Sequence, residues 1–205
     1  VPLVEGGFAP MPTAWLKEHA SLLEELLEAR DPSGRVPREA TAALVELMEG
    51  AAGDVPMDLR RLRAFLEGGD GLPPLALPAD FRAELRPYQE IGVRWLTFLR
   101  DMELHGILAD DMGLGKTLQA LAVLATTPGR SLVVAPTSVL RNWEREAERF
   151  VPGRRVVVYH GPGRRLDPDA WLTLTSHAIL RLDLAQLQQV PWAWVVLDEA
   201  QAIKN

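Results

Sequence analysis

The amino-acid sequence predicts an α/β fold in which a parallel sheet is covered by helices on both faces. From about residue 81 onward, short apolar runs alternate with amphipathic helical stretches. Polar residues do not alternate within these runs, which is typical of strands that are buried on both faces. A glycine-rich segment follows the first run, and ligand sites in parallel sheets lie at the carboxyl ends of the strands.

Five strands and two long helices account for this pattern. The predicted strands cover residues 106–110, 131–135, 155–159, 172–175 and 194–198. The helical stretches between them include 117–125 and 139–150. In the second helix, Trp143, Ala147 and Phe150 recur at the spacing of one helix face, so they are predicted to belong to the core.

A small α-helical region precedes this domain. Leucines at 16, 22, 23, 26 and 27 recur at helical spacing, and the Asp-Pro-Ser-Gly run at 31–34 ends the pattern. Two further helices are predicted, one at 37–48 and one at 57–66. The Gly- and Pro-rich segment beyond them is typical of a linker. The predicted organisation is a helical region at 1–67, a linker at 68–80 and the α/β domain at 81–205.

The composition is that of an ordinary globular protein, with 47% hydrophobic and 24% charged residues among 205. No apolar run approaches the roughly 20 residues that span a bilayer, so no membrane partner is expected. The first residues lack the pattern of a secretory signal. The absence of cysteine excludes disulfides and thiolate metal sites and fits a reducing cytoplasm. The four histidines show no paired ligand spacing, so no zinc site is expected.

The net negative charge of the chain comes from its N-terminal part. Residues 1–80 hold 7 basic and 14 acidic residues, whereas residues 81–205 hold 15 and 14. The α/β domain is therefore almost neutral and lacks the strong basic footprint that would by itself indicate nucleic-acid binding. The acidic helices at 1–80, considered separately, favour a protein-interaction module.

The strongest motif is a P-loop of the Walker A type at residues 110–117, which read DDMGLGKT. Glycines let the backbone amides turn toward phosphate oxygens, and the following helix adds the partial positive charge of its N-terminus. Lys116 is expected to reach the β- and γ-phosphates of ATP, and the Thr117 hydroxyl to bind Mg²⁺. The alternative is a glycine turn that only caps a helix. The predicted nucleotide contacts are Asp111, Met112, Gly113, Leu114, Gly115, Lys116, Thr117 and Leu118.

The second motif is a pair of carboxylates, Asp198 and Glu199, directly after the last apolar strand. Adjacent carboxylates at the end of a buried strand are costly unless a cation or water uses them. Asp198 is predicted to hold Mg²⁺ together with Thr117, and Glu199 to orient or deprotonate the attacking water. The alternative is a cap for the next helix. With the P-loop, this DEAD/DEAH-like motif predicts hydrolysis of a nucleoside triphosphate.

Several motifs together resemble the Swi/Snf family of helicase-like ATPases of superfamily two, in its bacterial type. Asp110, where the strict P-loop has Gly, is normal for that family, and Trp143 and Glu146 also match. The matching segments are LRPYQEIGVRWL at 85–96, LADDMGLGKTLQ at 108–119, VAPTSVL at 134–140, YHG at 159–161, LTSH at 174–177 and LDEAQAIKN at 197–205. The resemblance covers residues 81–205 and implies the first RecA-like lobe of such an ATPase, truncated after the acidic motif.

Residue roles follow from this resemblance. Gln89 would read the adenine through its amide, which both donates and accepts. Two strand-end segments would contact the DNA backbone, although Ser138 considered alone would be a helix cap. These proposed phosphate contacts are Pro136, Thr137, Ser138, Thr175 and Ser176. Gln201 stands where many relatives have His and would couple the nucleotide state to the DNA-binding parts.

The resemblance implies a DNA-dependent ATPase that translocates on double-stranded DNA and remodels protein–DNA complexes, as chromatin remodellers do. A bacterial, nucleoid-associated location in the cytoplasm would follow. An RNA-directed helicase is the alternative enzyme. Relatives continue with a second RecA-like lobe, whose arginine stabilises the transferred phosphate and is worth about 10³–10⁵ in rate in comparable systems. We therefore expect this chain alone to hydrolyse ATP negligibly.

Overall fold

A computed structural model describes residues 17, 19–29, 40 and 72–202. The chain divides into two compact units, one comprising Val1–Pro73 with Phe98–His105 and the other Pro74–Thr97 with Gly106–Asn205. In the first unit, helix α1 spans Ala20–Glu28 and buries Leu26, which confirms the first predicted helix. The helices predicted at 37–48 and 57–66 lie outside the described residues, apart from Ala40, which adopts a 3-10 conformation.

A four-stranded parallel sheet forms the centre of the second unit. Its strands are β1 (Arg130–Ala135), β2 (Val156–Val158), β3 (Leu172–Ser176) and β4 (Trp192–Leu197), in the order β2-β3-β1-β4. All three pairings are parallel. The predicted α/β fold with a parallel sheet is confirmed.

The strand predicted at 106–110 is not formed. Its residues have irregular backbone, and Ile107 is 89% exposed. A strand needs a neighbour that accepts its backbone hydrogen bonds, and no described strand pairs with this segment. The apolar side chains of this segment are therefore not enough to form a strand.

Helices alternate with the strands. They are α2 (Pro87–Asp101), α3 (Lys116–Ala125), α4 (Leu140–Phe150), α5 (His177–Leu182) and α6 (Leu184–Leu187), with 3-10 turns at Thr137–Val139 and Ala200–Ala202. The two helices predicted at 117–125 and 139–150 are confirmed as α3 and α4, each within one residue. None of the described helices is long and apolar enough to cross a membrane.

The core lies on both faces of the sheet because side chains alternate along each strand. On one face, Val133 and Leu174 pack with residues of α3 and α4, including Trp143. On the other face, Leu132 and Val134 pack with Tyr159, Ile179 and Leu187. A third cluster joins Val93 of α2 to Ala122 and Val123 of α3 and is covered by the segment from Leu75 to Leu85. This packing fixes α2 and α3, which carry the P-loop residues and their partners.

Candidate nucleotide and metal site

The carboxyl ends of three adjacent strands form one edge of the sheet. Ala135 at the end of β1 is in register with Ser176 of β3, and Val134 is in register with Leu197 of β4. The Asp198 amide continues the pairing, donating to the Val134 carbonyl at 2.8 Å. The turn at 136–138 and the carboxylate of Asp198 are therefore neighbours at the edge where parallel sheets hold ligands.

The P-loop turns on two glycines with left-handed backbone. Gly113 has φ 83° and Gly115, at the N-cap of α3, has φ 77°. Such values favour glycine, because a side chain clashes with the backbone there. A Cβ at Gly113 would meet open space, whereas a Cβ at Gly115 would lie 2.6 Å from Gln89 Nε2. Lys116 and Thr117 follow as the first two residues of α3.

Lys116 is folded back onto the loop that precedes it. Its Nζ donates to the carbonyls of Asp110 at 2.7 Å and Asp111 at 2.9 Å. The ammonium group is thus held at the mouth of the loop by neutral acceptors, which phosphate oxygens can replace with stronger, charge-assisted bonds. Open space at Gly113, left-handed glycines and a partly exposed lysine are the features that a phosphate cradle requires, so these residues fit a nucleotide.

Gln89 and Tyr88 hold the loop from the side of α2. Both side chains donate to the carbonyl of Leu114, Gln89 Nε2 at 3.0 Å and the Tyr88 hydroxyl at 3.1 Å. Gln89 Oε1 accepts from the Arg86 amide at 3.0 Å, and the residue is only 5% exposed. The amide predicted to read adenine is therefore bonded to backbone on both sides, and adenine recognition stays a prediction.

Asp110 has a partner that explains why an acidic residue is accommodated at this P-loop position. Gln119 Nε2 donates to Asp110 Oδ2 at 2.8 Å, from a side chain that is fully buried in α3. The other amide atom, Gln119 Oε1, has no hydrogen-bond partner among the described residues. Asp110 therefore ties the start of the loop to the helix at its end.

Asp198 is held by its neighbour Glu199 and by two residues that follow other strands, Trp143 after β1 and His177 after β3. One carboxylate oxygen accepts from the indole Nε1 of Trp143 at 2.8 Å, and the other from the Glu199 amide at 3.0 Å. Its carbonyl lies 3.1 Å from His177 Nε2. In the part of the chain that the structure describes, no ion pair involves Asp198, so its charge is available to a cation.

Glu199 adopts a left-handed backbone with φ 51°, which is uncommon for a residue with a side chain. Its carboxylate is exposed and accepts a hydrogen bond from Gln201 Nε2. Strained residues of this kind are concentrated at functional sites. Glu199 and Gln201 thus project from the same turn, directly after the Asp198 carboxylate.

The described residues contain no group of three or more His, Asp or Glu side chains that would hold a metal by themselves. Within these ranges, no hydrogen bond or ion pair joins the P-loop to Asp198 or Glu199. Mg²⁺ typically binds one or two protein groups and completes its shell with water and substrate phosphates. Thr117 and Asp198 fit that mode, with the nucleotide supplying the remaining ligands.

The proposed DNA contacts differ in accessibility. Thr137 and Ser138 are exposed in the 3-10 turn after β1, and no side chain caps either that turn or α4. Thr175 and Ser176 are buried. The Thr175 hydroxyl donates to the Tyr159 carbonyl at 3.0 Å, and the Ser176 hydroxyl accepts from the Ile179 amide. The first pair is free to meet a phosphate, whereas the hydroxyls of the second pair are used within the protein.

Comparison with known proteins decides the family. The profile described as "SNF2-related domain" matches residues 88–205, more than half of the chain. The chain belongs to the SNF2 family. It is 41% identical over 165 residues to YwqA of Bacillus subtilis, a protein named for ATP-dependent helicase or translocase activity, and that match covers 74% of this chain. It is 40% identical over 146 residues to the helicase swr1 of Schizosaccharomyces pombe, with 64% of this chain covered.

Solved structures agree with the sequence relatives. The SWI2/SNF2 ATPase core of Sulfolobus solfataricus in complex with double-stranded DNA matches with a TM-score of 0.60 and 41% identity over 65% of this chain. A second structure, the SWI2/SNF2 ATPase core domain of Sulfolobus solfataricus, matches with a TM-score of 0.59. The fold is therefore that of part of an SNF2 ATPase core. This chain spans 18% of the length of YwqA, 11% of swr1 and 29% of the Sulfolobus core chain.

The sequence did not predict the contacts of several side chains that shape this site, Tyr88 among them. Trp143 was predicted to be core, which its 3% exposure confirms, but its hydrogen bond to Asp198 was not anticipated. The contacts of His177 with Asp198 and of Gln119 with Asp110 were also missed. All of these residues lie in segments that match the family, and Gln119 also stands out as a polar residue among apolar ones in the first turns of α3.

Proposed function

We propose that this SNF2 protein is a DNA-dependent ATPase that translocates on double-stranded DNA and remodels protein–DNA complexes. One observation carries the proposal. The exposed turn with Thr137 and Ser138 lies beside Asp198 at the carboxyl edge of the sheet, so the turn that would bind a phosphate and the carboxylate that would bind a metal share one edge. A partner on the turn and a nucleotide at the carboxylate would be close enough to influence each other.

The nucleotide chemistry would be divided among four residues. Lys116 would exchange its two carbonyl acceptors for the β- and γ-phosphates of ATP. Thr117 and Asp198 would hold Mg²⁺, which, when bound, neutralises charge on the phosphate oxygens. Glu199 would orient the attacking water or accept its proton. Gln89 would contact the adenine, and Gln201, already bonded to Glu199, would relay the nucleotide state.

The DNA contacts would be to the backbone and therefore independent of sequence. Thr137 and Ser138, which follow Pro136, are exposed and would carry the phosphate contacts. Thr175 and Ser176 are buried and their hydroxyls are bonded internally, so they would support the edge of the sheet beside that turn. A protein bound to that DNA would be the second partner. A bacterial cytoplasm near the nucleoid is the proposed location.

Efficient hydrolysis would need a second RecA-like lobe. The Sulfolobus ATPase core is a much longer chain, of which this one covers 29%. An arginine from such a lobe would stabilise the transferred phosphate, so this chain alone is expected to bind ATP but to hydrolyse it negligibly. Steady DNA-stimulated turnover by the isolated chain would contradict that expectation.

The first experiment is calorimetric titration of this chain with Mg-ATP beside the variant Lys116→Ala. Binding that is lost in the variant supports the nucleotide site. Hydrolysis by the full-length protein is then measured with duplex DNA and with RNA of the same length. Stimulation by duplex DNA supports the proposal, whereas stimulation by RNA alone would favour an RNA-directed helicase.

A further inference from the structure

Trp143 makes a contact that core packing does not require. It is 3% exposed and belongs to the cluster of α3, α4, β1 and β3. Its indole N–H donates to Asp198 Oδ2 at 2.8 Å. Trp171 packs against the same cluster, yet its indole nitrogen has no hydrogen-bond partner among the described residues. The cluster therefore tolerates an unbonded indole, and the bond from Trp143 to the carboxylate is a separate feature.

This bond completes a set that fixes the whole of Asp198. The backbone amide is bonded to Val134 at 2.8 Å, and the carbonyl lies 3.1 Å from His177 Nε2. The second carboxylate oxygen accepts from the Glu199 amide at 3.0 Å. With the backbone and both oxygens engaged, rotation of the carboxylate about its side-chain torsions requires at least one of these bonds to break.

The donors are also of the kind that a metal site tolerates. An indole and a backbone amide are neutral, so they orient the carboxylate without cancelling the charge that attracts a cation. An arginine or lysine in the same position would compete with Mg²⁺. Side chains that hydrogen-bond a ligating carboxylate typically change metal affinity or activity by about 10- to 100-fold when they are mutated.

We propose that Trp143 is a positioning residue for the metal-binding carboxylate of Asp198. Its indole sets the orientation of the carboxylate before Mg²⁺ arrives with the nucleotide. The inference rests on the proposed function, because Asp198 binds Mg²⁺ only if this is an ATP site. Trp143, although part of the hydrophobic core, would therefore raise the affinity for Mg-ATP without changing the affinity for ATP alone.

The test compares Trp143→Phe with Trp171→Phe, a matched substitution of a tryptophan that packs against the same core cluster. The affinity of this chain for ATP is measured by calorimetry in Mg²⁺ and again in EDTA, and the ratio of the two affinities reports the contribution of the metal. Trp143→Phe is expected to lower that ratio by about tenfold and to leave the affinity in EDTA unchanged. Trp171→Phe is expected to leave the ratio as in the wild type.

A ratio that is equal in Trp143→Phe and the wild type overturns the proposal, as does an equal fall in both tryptophan variants. The variant Asp198→Asn is expected to lose the Mg²⁺ effect, and adding Trp143→Phe to it should change nothing more. ATP binding by the wild type separates a failure of the proposed function from a failure of the proposed role of Trp143. If it fails to bind ATP, the proposed function fails and this role falls with it; if it binds and shows a Mg²⁺ effect, only the variants decide.

A second measurement uses the wild-type side chain, in case Trp143→Phe does not fold. The chain has six tryptophans, whose indole N–H groups give separate nitrogen–proton resonances. Adding Mg²⁺ to the ATP-saturated chain is expected to shift the assigned resonance of Trp143 while that of Trp171 stays in place. An unmoved Trp143 resonance, at saturation with Mg²⁺, contradicts the proposal.

Discussion

Gly113 and Gly115 show how two identical residues in one loop meet different physical demands. Both have left-handed backbone, with φ 83° and 77°. Only Gly115 is also pressed against a neighbour, since its Cβ would lie 2.6 Å from Gln89 Nε2. The first glycine is required by its conformation alone. The second is required by its conformation and by the bond that Gln89 makes to Leu114.

We predict that Gly115→Ala destabilises the chain more than Gly113→Ala does. Gly113→Ala should cost about 1–2 kcal/mol of unfolding free energy because alanine is strained in this conformation. Gly115→Ala should cost roughly 1 kcal/mol more, because Gln89 must also give up its hydrogen bond. Urea denaturation of both variants checks the difference, and equal losses would show that the contact with Gln89 is unimportant.

Gly92 of α2 is required by a neighbouring side chain and not by its backbone conformation. A Cβ there would lie 2.1 Å from Gln119 Oε1. Gln119 is fully buried and bonded to Asp110, so its amide cannot retreat without disturbing the start of the P-loop. The glycine therefore makes room for the side chain that holds Asp110.

Gly92→Ala is expected to lower the unfolding free energy by about 1 kcal/mol, since overpacking outweighs the helix propensity that alanine gains. ATP affinity should fall as well, because Asp110 loses its partner. In a Gln119→Ala background the same substitution should become neutral or stabilising. A double-mutant cycle in urea measures this change of sign, and a constant cost in both backgrounds would mean that Gln119 is not the obstacle.

At the scale of secondary-structure elements, a polar cluster connects the end of β2 to the start of α6. The Tyr159 hydroxyl donates to Asp183 at 2.8 Å, and Arg164 pairs with both oxygens of Asp183. Burial, followed by the nearby Asp183 carboxylate, raises the pKa of Tyr159, which keeps the phenol protonated as a donor. The hydrogen bond from Arg164, followed by that from Tyr159, lowers the pKa of Asp183.

This cluster predicts a pH-dependent stabilisation. Because the pKa of Asp183 is lower in the folded chain, the stabilisation is fully present above its unfolded value of about 3.9 and is lost as the pH falls through the folded value. Asp183→Asn should therefore lower the urea midpoint at pH 7, with the difference from the wild type shrinking in acid. Asp169→Asn, at an exposed position in the preceding loop, is the control. An undiminished difference at low pH would exclude this ionic contribution.

Predictions at the element scale succeeded where local pattern and tertiary context agreed. Helices α3 and α4 begin within one residue of their predicted positions because the glycine loop and the Pro-Thr-Ser turn before them are encoded locally. The strand predicted at 106–110 was wrong, because no described strand lies beside this segment to accept its backbone hydrogen bonds. The boundaries 1–67, 68–80 and 81–205 stay predictions.

At the scale of the whole molecule, ligand binding and folding are linked. A ligand that binds only the folded chain stabilises it by mass action, by about 2.7 kcal/mol at 100 times the dissociation constant. We predict that Mg-ATP at that concentration raises the unfolding free energy of the wild-type chain by this amount and leaves Lys116→Ala unchanged. Urea unfolding with and without Mg-ATP measures the effect. Equal stabilisation of both proteins would indicate binding outside the P-loop.

The sequence by itself determined the α/β class, the P-loop, the acidic motif and the SNF2 family, because these depend on local composition and on short motifs in a set order. Only the tertiary structure decided which side chains support them. Trp143 lies 55 residues from Asp198, and Tyr88 lies 26 residues from Leu114. No periodicity or spacing records such pairs, since the sheet and its covering helices must first bring them together.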